Sequence, residues 1–213
     1  RAVPFDPATS GRRFVIGAPD GVVASVLSPL MARVGADAPN VGIGLIHLMP
    51  SGRSAAADQA WEESLRKLEK REIDIGLLPV RTAPPRFSTR RLYDEDFVVA
   101  MRKGHPFARA PSEGRFCSAR HLLVSLSGEP YGFIDESLAK RGLERRVVLT
   151  VPTFMLALAH LAESDLIATL PRRLVERHAG AFGLTFVELP FKRKPDPIRA
   201  IATSARCAQP SGA

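Results

Sequence analysis

The side chains able to do covalent or metal chemistry are few and do not form a reactive set. The five histidines, His47, His105, His121, His160 and His178, are scattered, with no HxH, HExxH or Cys–His cluster, so no metal site is expected. Cys117 and Cys207 lie far apart without CxxC spacing and read as free thiols of a reducing compartment, with a redox pair as the alternative. There is no GxSxG elbow, no GxxxxGK(S/T) loop and no GxGxxG turn; Gly42 and Gly44 fall inside a strand pattern. Asp94-Glu95-Asp96 is an acidic run, but adjacent carboxylates on extended chain point alternately, which suits solvated loop better than a paired acid and base. Glu129 sits in a predicted loop with no nucleophile to serve. No catalytic residue, metal or cofactor is assigned, and the chain reads as a binder rather than an enzyme.

What remains is a set of small polar residues at the ends of strand patterns. Arg13 to Ala18 predicts a strand, Pro19 and Asp20 break it, and Val22, Val23, Val26, Leu27, Leu30, Met31 and Val34 mark one face of a helix. Asp20 stands where an N-cap belongs. A strand that turns directly into a helix leaves N–H groups at a crevice suited to polar ligands, although an ordinary core unit with a structural cap has the same pattern.

The elements continue in order. Val41 to Leu48 predicts an apolar strand covered on both faces, and 49–57 a loop. Asp58 to Arg71 predicts a helix with Trp61, Leu65 and Leu68 inward and Glu62–Arg66 and Glu63–Lys67 pairs outward. Ile73 to Leu78 is the third strand, and 79–86 a proline-rich loop. Phe87 to Tyr93 and Asp96 to Met101 are extended runs with no helix between them, reading as a crossing from one sheet to another. Pro111 to Ser118 is loop. A second alternating series follows: strand His121 to Leu126, a short helix capped by Asp135 and ended by Gly142, strand Arg146 to Val151, and a buried helix Phe154 to Ala162 capped by Thr153. Then come strand Leu166 to Leu170, helix Arg172 to His178 with Pro171 at its first position, strand Leu184 to Leu189, and a strand Ile198 to Thr203 returning to the first half.

Two βα halves joined by crossing segments predict a hinged two-lobe α/β binding module. Its site lies outside the carboxyl ends of the strands: Ala18 to Gly21, Met49 to Ser54, Pro79 to Arg81, Ser127 to Pro130, Pro152 to Phe154 and Leu170 to Arg172. The formal net charge of +8 suits acidic partners, but the basic residues are dispersed. The clusters Lys140-Arg141 with Arg145-Arg146 and Lys192-Arg193-Lys194 lack interleaved aromatics and read as solvated faces. No apolar run approaches the ~20 residues that span a bilayer, and RAVPFDPATSGRR has no signal-peptide core.

The order RRFVIGAPDGVVASVLSPLMARVGADAPNVGIGL, LEKREIDIGLLP, LYDEDFVVAMRKGHP and SGEPYGFIDESLAKRGLERRVVLTVPTFMLALAHLAESDLIATLPRRL resembles the effector-binding domain of LysR-type transcriptional regulators over residues 10 to 191. The subgroup it resembles includes regulators of nodulation and of aromatic-compound degradation. The resemblance implies a periplasmic-binding-protein-like (type II) fold, two Rossmann-like subdomains joined by crossing strands. It implies a linker over 1–12, a first subdomain over 13–100 and 197–213, and a second over 101–190, with a helix-turn-helix domain outside this chain carrying all DNA contact. It also implies a small-molecule inducer, aromatic or anionic, in the cleft between subdomains, a homodimer or tetramer, no membrane partner and a cytoplasmic location.

Carried over by position, the ligand-binding set is Asp20, Gly21, Val22, Met49, Ser51, Ser54, Ser127, Gly128, Thr153 and Phe154, to which Arg81 is added after the third strand. Ser51, Ser54, Ser127 and Thr153 would supply hydroxyls, with Arg81 or Arg172 as counter-ion. An exported solute-binding protein of a transport system is the alternative reading. The sequence departs from the family at its C-terminus, where RAIATSARCAQPSGA shows no closing amphipathic helix.

Overall fold

The computed structural model describes residues 5–50 and 59–204. Ser51, Ser54, Cys207 and the C-terminal departure beyond Ser204 lie outside the described residues. The chain divides into two compact units, the first holding 5–50, 59–93 and 197–204 and the second 94–196.

In the first unit β1 (Arg13–Ala18) pairs in parallel with β2 (Gly42–His47) and β3 (Ile75–Leu78). β10 (Asp196–Thr203) returns antiparallel beside β3, and β4 (Phe87–Glu95) closes the order β2-β1-β3-β10-β4. Alternation along β1 divides the core. Ile16 and Ala18 join Val22, Leu77 and Ile198 beneath α1 (Asp20–Asp37). Val15 lies with Leu48, Trp61, Leu65, Leu68 and Ile73, the core of α2 (Glu62–Glu69). Trp61 is therefore core, as its helical spacing predicts. Gly17 leaves room on that second face: a Cβ there would meet Leu48 Cδ1 at 2.5 Å and Ile73 Cδ1 at 2.8 Å, and both neighbours are buried.

Several expectations need correction here. β2 is an edge strand, not one covered on both faces, and it exposes Leu45 and Ile46. Asp20 is not the N-cap of α1. Extended Pro19 takes that place with no side-chain bond, and its carbonyl accepts from Val22 and Val23 N–H. The helix also runs three residues further than Val34. Arg66 pairs with Glu63, and Lys67 with Glu72. The described part of the expected linker is attached to the unit. Phe5 stacks edge-on against Phe14 at 5.8 Å, and Arg12 reaches Asp74 at 3.6 Å.

In the second unit β5 (Phe97–Arg102) lies between β8 (Ala168–Pro171) and β9 (Leu184–Glu188), antiparallel to both. This pairing places β5 in the second unit, not at the end of the first. β6 (Arg120–Val124) pairs in parallel with β7 (Arg146–Val151). A parallel bridge at His121–Ile167, with Leu122 N–H donating to the Ile167 carbonyl, joins β6 to the approach of β8. The layout is thus β7-β6-β8-β5-β9.

The expected loop 111–118 is instead α3 (Glu113–Ser118), capped by the Ser112 hydroxyl, which accepts from Arg115 N–H. Gly132, not Asp135, is the N-cap of α4 (Phe133–Ala139). Asp135 sits three residues in and accepts from Gly132 N–H at 2.8 Å. Gly142, at φ 69°, ends that helix in the left-handed region glycine favours. α5 (Phe154–Ala162) buries Ala157, Leu158 and Leu161 but exposes Leu156, so it is not buried all round. Pro171 is the N-cap of α6 (Arg172–His178) rather than its first residue. No helix among the described residues is long and apolar enough to cross a membrane.

His121 is fully buried, and its Nε2 lies 2.7 Å from the Phe116 carbonyl, which requires that nitrogen to donate. Burial pushes its pKa down to about 4. Between roughly pH 6.5 and 4 the unfolded chain takes up a proton that the folded chain refuses, so His121 removes up to about 3 kcal/mol of stability as pH falls through that window. Denaturant titrations of wild type and His121→Gln across the window should show wild type losing up to about 3 kcal/mol relative to the variant, other groups contributing equally to both. Equal pH slopes would refute it. Gly17→Ala should cost about 1–3 kcal/mol through overpacking, read as a lowered Tm; an unchanged Tm would show that Leu48 and Ile73 yield freely.

Candidate functional site

In each unit the parallel strands end on one edge, and the loops that follow carry the expected residues. On the first unit, Leu48 N–H donates to the Ala18 carbonyl at 2.9 Å, which ties the loop after β2 to the end of β1. Asp20 Oδ1 lies 3.5 Å from His47 Nε2, and buried Gly21 and Val22 start α1 behind it. Met49 is half-buried, and Arg81 is exposed beyond β3. The structure thus brings Asp20, Gly21, Val22 and Met49 together.

On the second unit, Ser125 N–H donates to the Val151 carbonyl at 2.8 Å, so the loops after β6 and β7 are joined. Gly128 turns the chain at φ 78°, and its carbonyl accepts from Thr150 Oγ1 at 3.3 Å. Ser127 Oγ lies 3.4 Å from Ser125 Oγ and accepts from Glu129 N–H. Thr153 Oγ1 accepts from Leu156 N–H at 3.2 Å, so this expected cap is present and sets the start of α5 at Phe154. Ser127, Gly128, Thr153 and Phe154 therefore share one edge.

Arg172 is not available as a counter-ion. Its Nη2 lies 2.5 Å from Glu188 and 3.2 Å from Asp96, and its Nη1 lies 3.8 Å from Glu176. Glu188 first, and then Asp96, raise its pKa further. The acidic run is also not solvated loop: Asp96 holds Arg172, and Glu95 is buried.

Sequence reasoning missed the most distinctive feature of this edge. The rings of Phe97 and Phe133 meet at 4.8 Å, and the Arg193 guanidinium stacks on both, at 4.8 and 4.5 Å from their centroids. Arg193 is held there by Asp196 and the Lys194 carbonyl. It is not part of a solvated basic loop; its side chain is only 16% exposed. Phe133 is 40% exposed, and Leu126, Tyr131 and Leu156, in the segments that follow β6 and β7, are exposed by 60%, 40% and 39%. Apolar side chains left in water together on one edge mark a contact surface. The signal that could have found it is the aromatic pair in the glycine-bounded loop GEPYGF.

Arg145 fixes this wall from below. Its Nε and Nη2 both donate to Asp135 at 2.8 Å, and Asp135 in turn holds Gly132, the residue before Phe133.

The comparisons agree with this architecture. The chain is 33% identical over 192 residues to the HTH-type transcriptional activator NagR of Ralstonia sp, covering 88% of this chain and 59% of NagR. It is 28% identical over 197 residues to the HTH-type transcriptional regulator LinR of Sphingobium indicum, covering 92% of this chain and 61% of LinR. The chain thus spans about six-tenths of the length of these relatives. The crystal structure of the regulatory domain of MexT, a transcriptional activator in Pseudomonas aeruginosa, superposes with a TM-score of 0.77 at 27% identity. That match covers 96% of this chain and 94% of the MexT domain. Residues 8–211 match the LysR substrate binding domain, and the chain belongs to that family.

Proposed function

We propose that this chain is the effector-sensing part of a cytoplasmic LysR-type transcriptional regulator, with DNA contact made by a helix-turn-helix segment outside it. The observation that carries the reading is the exposed aromatic edge of the second unit, where Phe97 and Phe133 flank Arg193. The effector this edge fits is a small molecule with a flat apolar face. Ser127, Gly128, Thr153 and Phe154 would bound it on this unit. Asp20, Gly21, Val22, Met49, Ser51, Ser54 and Arg81 remain the contact set proposed for the first. An effector that favours one conformation of the chain shifts the equilibrium by no more than its differential affinity, and a coupling of roughly 1–3 kcal/mol alters promoter occupancy. The transport reading is set aside, because the matched relatives are named as transcriptional regulators.

Calorimetric titration of the chain with benzoate, a hydroxybenzoate and a flavonoid should give saturable binding by at least one. Phe133→Ala should weaken that binding about tenfold, the worth of one aromatic contact of about 1.4 kcal/mol. Absence of binding across the panel, or equal affinity in Phe133→Ala, would sink the assignment.

Self-association is proposed through the first unit. Met31 of α1 is exposed, and so is Leu45, which shares a face of β2 with Ile43, a residue of the α1 core. Sedimentation should show a dimer that Leu45→Glu with Met31→Glu dissociates. A monomer in wild type, or a dimer that survives both changes, would place the interface elsewhere.

A further inference from the structure

One buried titratable group stands apart from the exposed edge. Glu95, the last residue of β4, is 3% exposed and lies just past the division between the units at Tyr93 and Asp94. Its Oε1 accepts a long hydrogen bond, 3.5 Å, from the backbone N–H of Arg173 at the start of α6, and the backbone of the adjacent Asp96 also favours its charged form. Its Oε2 is buried with no hydrogen-bond partner. The charges that face it are Arg173 on α6, which favours ionisation, and Asp96, the next residue in the chain, which opposes it. Arg172, the other cation at the start of α6, is held by Asp96, Glu176 and Glu188.

The long Arg173 bond and the adjacent Asp96 backbone do not offset the desolvation of the carboxylate, so the buried form of Glu95 is the neutral one. The group titrates at about 7, with burial as the main cause. The same two segments are also joined by the Asp96 carbonyl, which accepts from Arg172 N–H at 2.8 Å, and by the Asp96–Arg172 ion pair.

We propose that Glu95 is a proton-operated latch that holds the end of β4 against the start of α6. Neutral, it stays in the core with its carbonyl oxygen on Arg173 N–H. Ionised, its second oxygen has no donor in the core and must reach water, which frees that N–H. The closed form binds the proton more tightly than the open form. Opening therefore releases a proton and becomes easier as pH rises toward and through neutrality.

The test is made on the 213-residue chain, as wild type and as Glu95→Gln, a neutral isostere. Carbon-detected NMR should place the wild-type Glu95 carboxyl titration near 7. Hydrogen exchange, corrected for its intrinsic pH dependence, should show protection of the Arg173 amide falling about tenfold between pH 6 and 8 in wild type and staying flat in Glu95→Gln. The amide of Leu122, bonded to the Ile167 carbonyl between β6 and the approach of β8, should stay protected throughout. A titration near 4.5, equal Arg173 profiles in the two proteins, or parallel loss at Leu122 would each overturn the latch, the last by showing global unfolding instead.

Discussion

The exposed aromatic edge depends on a charge pair hidden beneath it. The Arg145 side chain is 1% exposed and grips Asp135 with two parallel bonds. Buried pairs are weak contributors to net stability, because desolvation offsets most of their attraction; their effect is to fix geometry. Here the geometry fixed is the first turn of α4. Asp135 takes the Gly132 N–H, and Phe133 follows directly, so its ring has one orientation from which to meet Phe97 and Arg193. An apolar substitute for the pair would fill the space but leave the Gly132 N–H without its acceptor.

Topology explains why those three side chains meet at all. β5 runs antiparallel to β8, so its first residue, Phe97, is level with Pro171, the last residue of β8. β9 is antiparallel to β5 in turn, and Glu188 is paired with Val98, so the chain leaving β9 departs at that same level, carrying Arg193. The parallel strands bring their carboxyl ends to this edge, and the antiparallel insertion adds the beginning of one strand and the exit of another. The first unit repeats the plan, with β10 antiparallel beside β3. A single repeated layout thus collects loops distant in sequence onto one edge of each sheet.

This also marks where the sequence was legible. Apolar patterning located β1, α1, β7, α5 and the return of β10, although of the face expected for α1 Met31 is exposed. It misjudged β2, because an apolar run does not reveal whether its strand is internal or at an edge; here Leu45 and Ile46 stand exposed. α3 was hidden because Pro111, Ser112 and Gly114 weigh toward loop, although Ser112 was the cap that announced it. Thr153 could be recognised because a cap is a local interaction. The roles of Arg193, Arg172 and Glu95 could not, because their partners lie tens of residues away or across strands.

The arginines then decide what the edge recognises. A net charge of +8 invites the expectation of a site for anions. Arg172 answers to three carboxylates, and Arg193 is tied to Asp196 while its flat face is pressed on two phenyl rings. A guanidinium so placed has lost much of its hydration and its freedom, and with them the long-range pull of a free cation. Its remaining contribution is to stiffen and polarise an aromatic wall. The effector proposed for this edge is accordingly one met by shape and π-contact, with hydroxyls and backbone groups setting orientation.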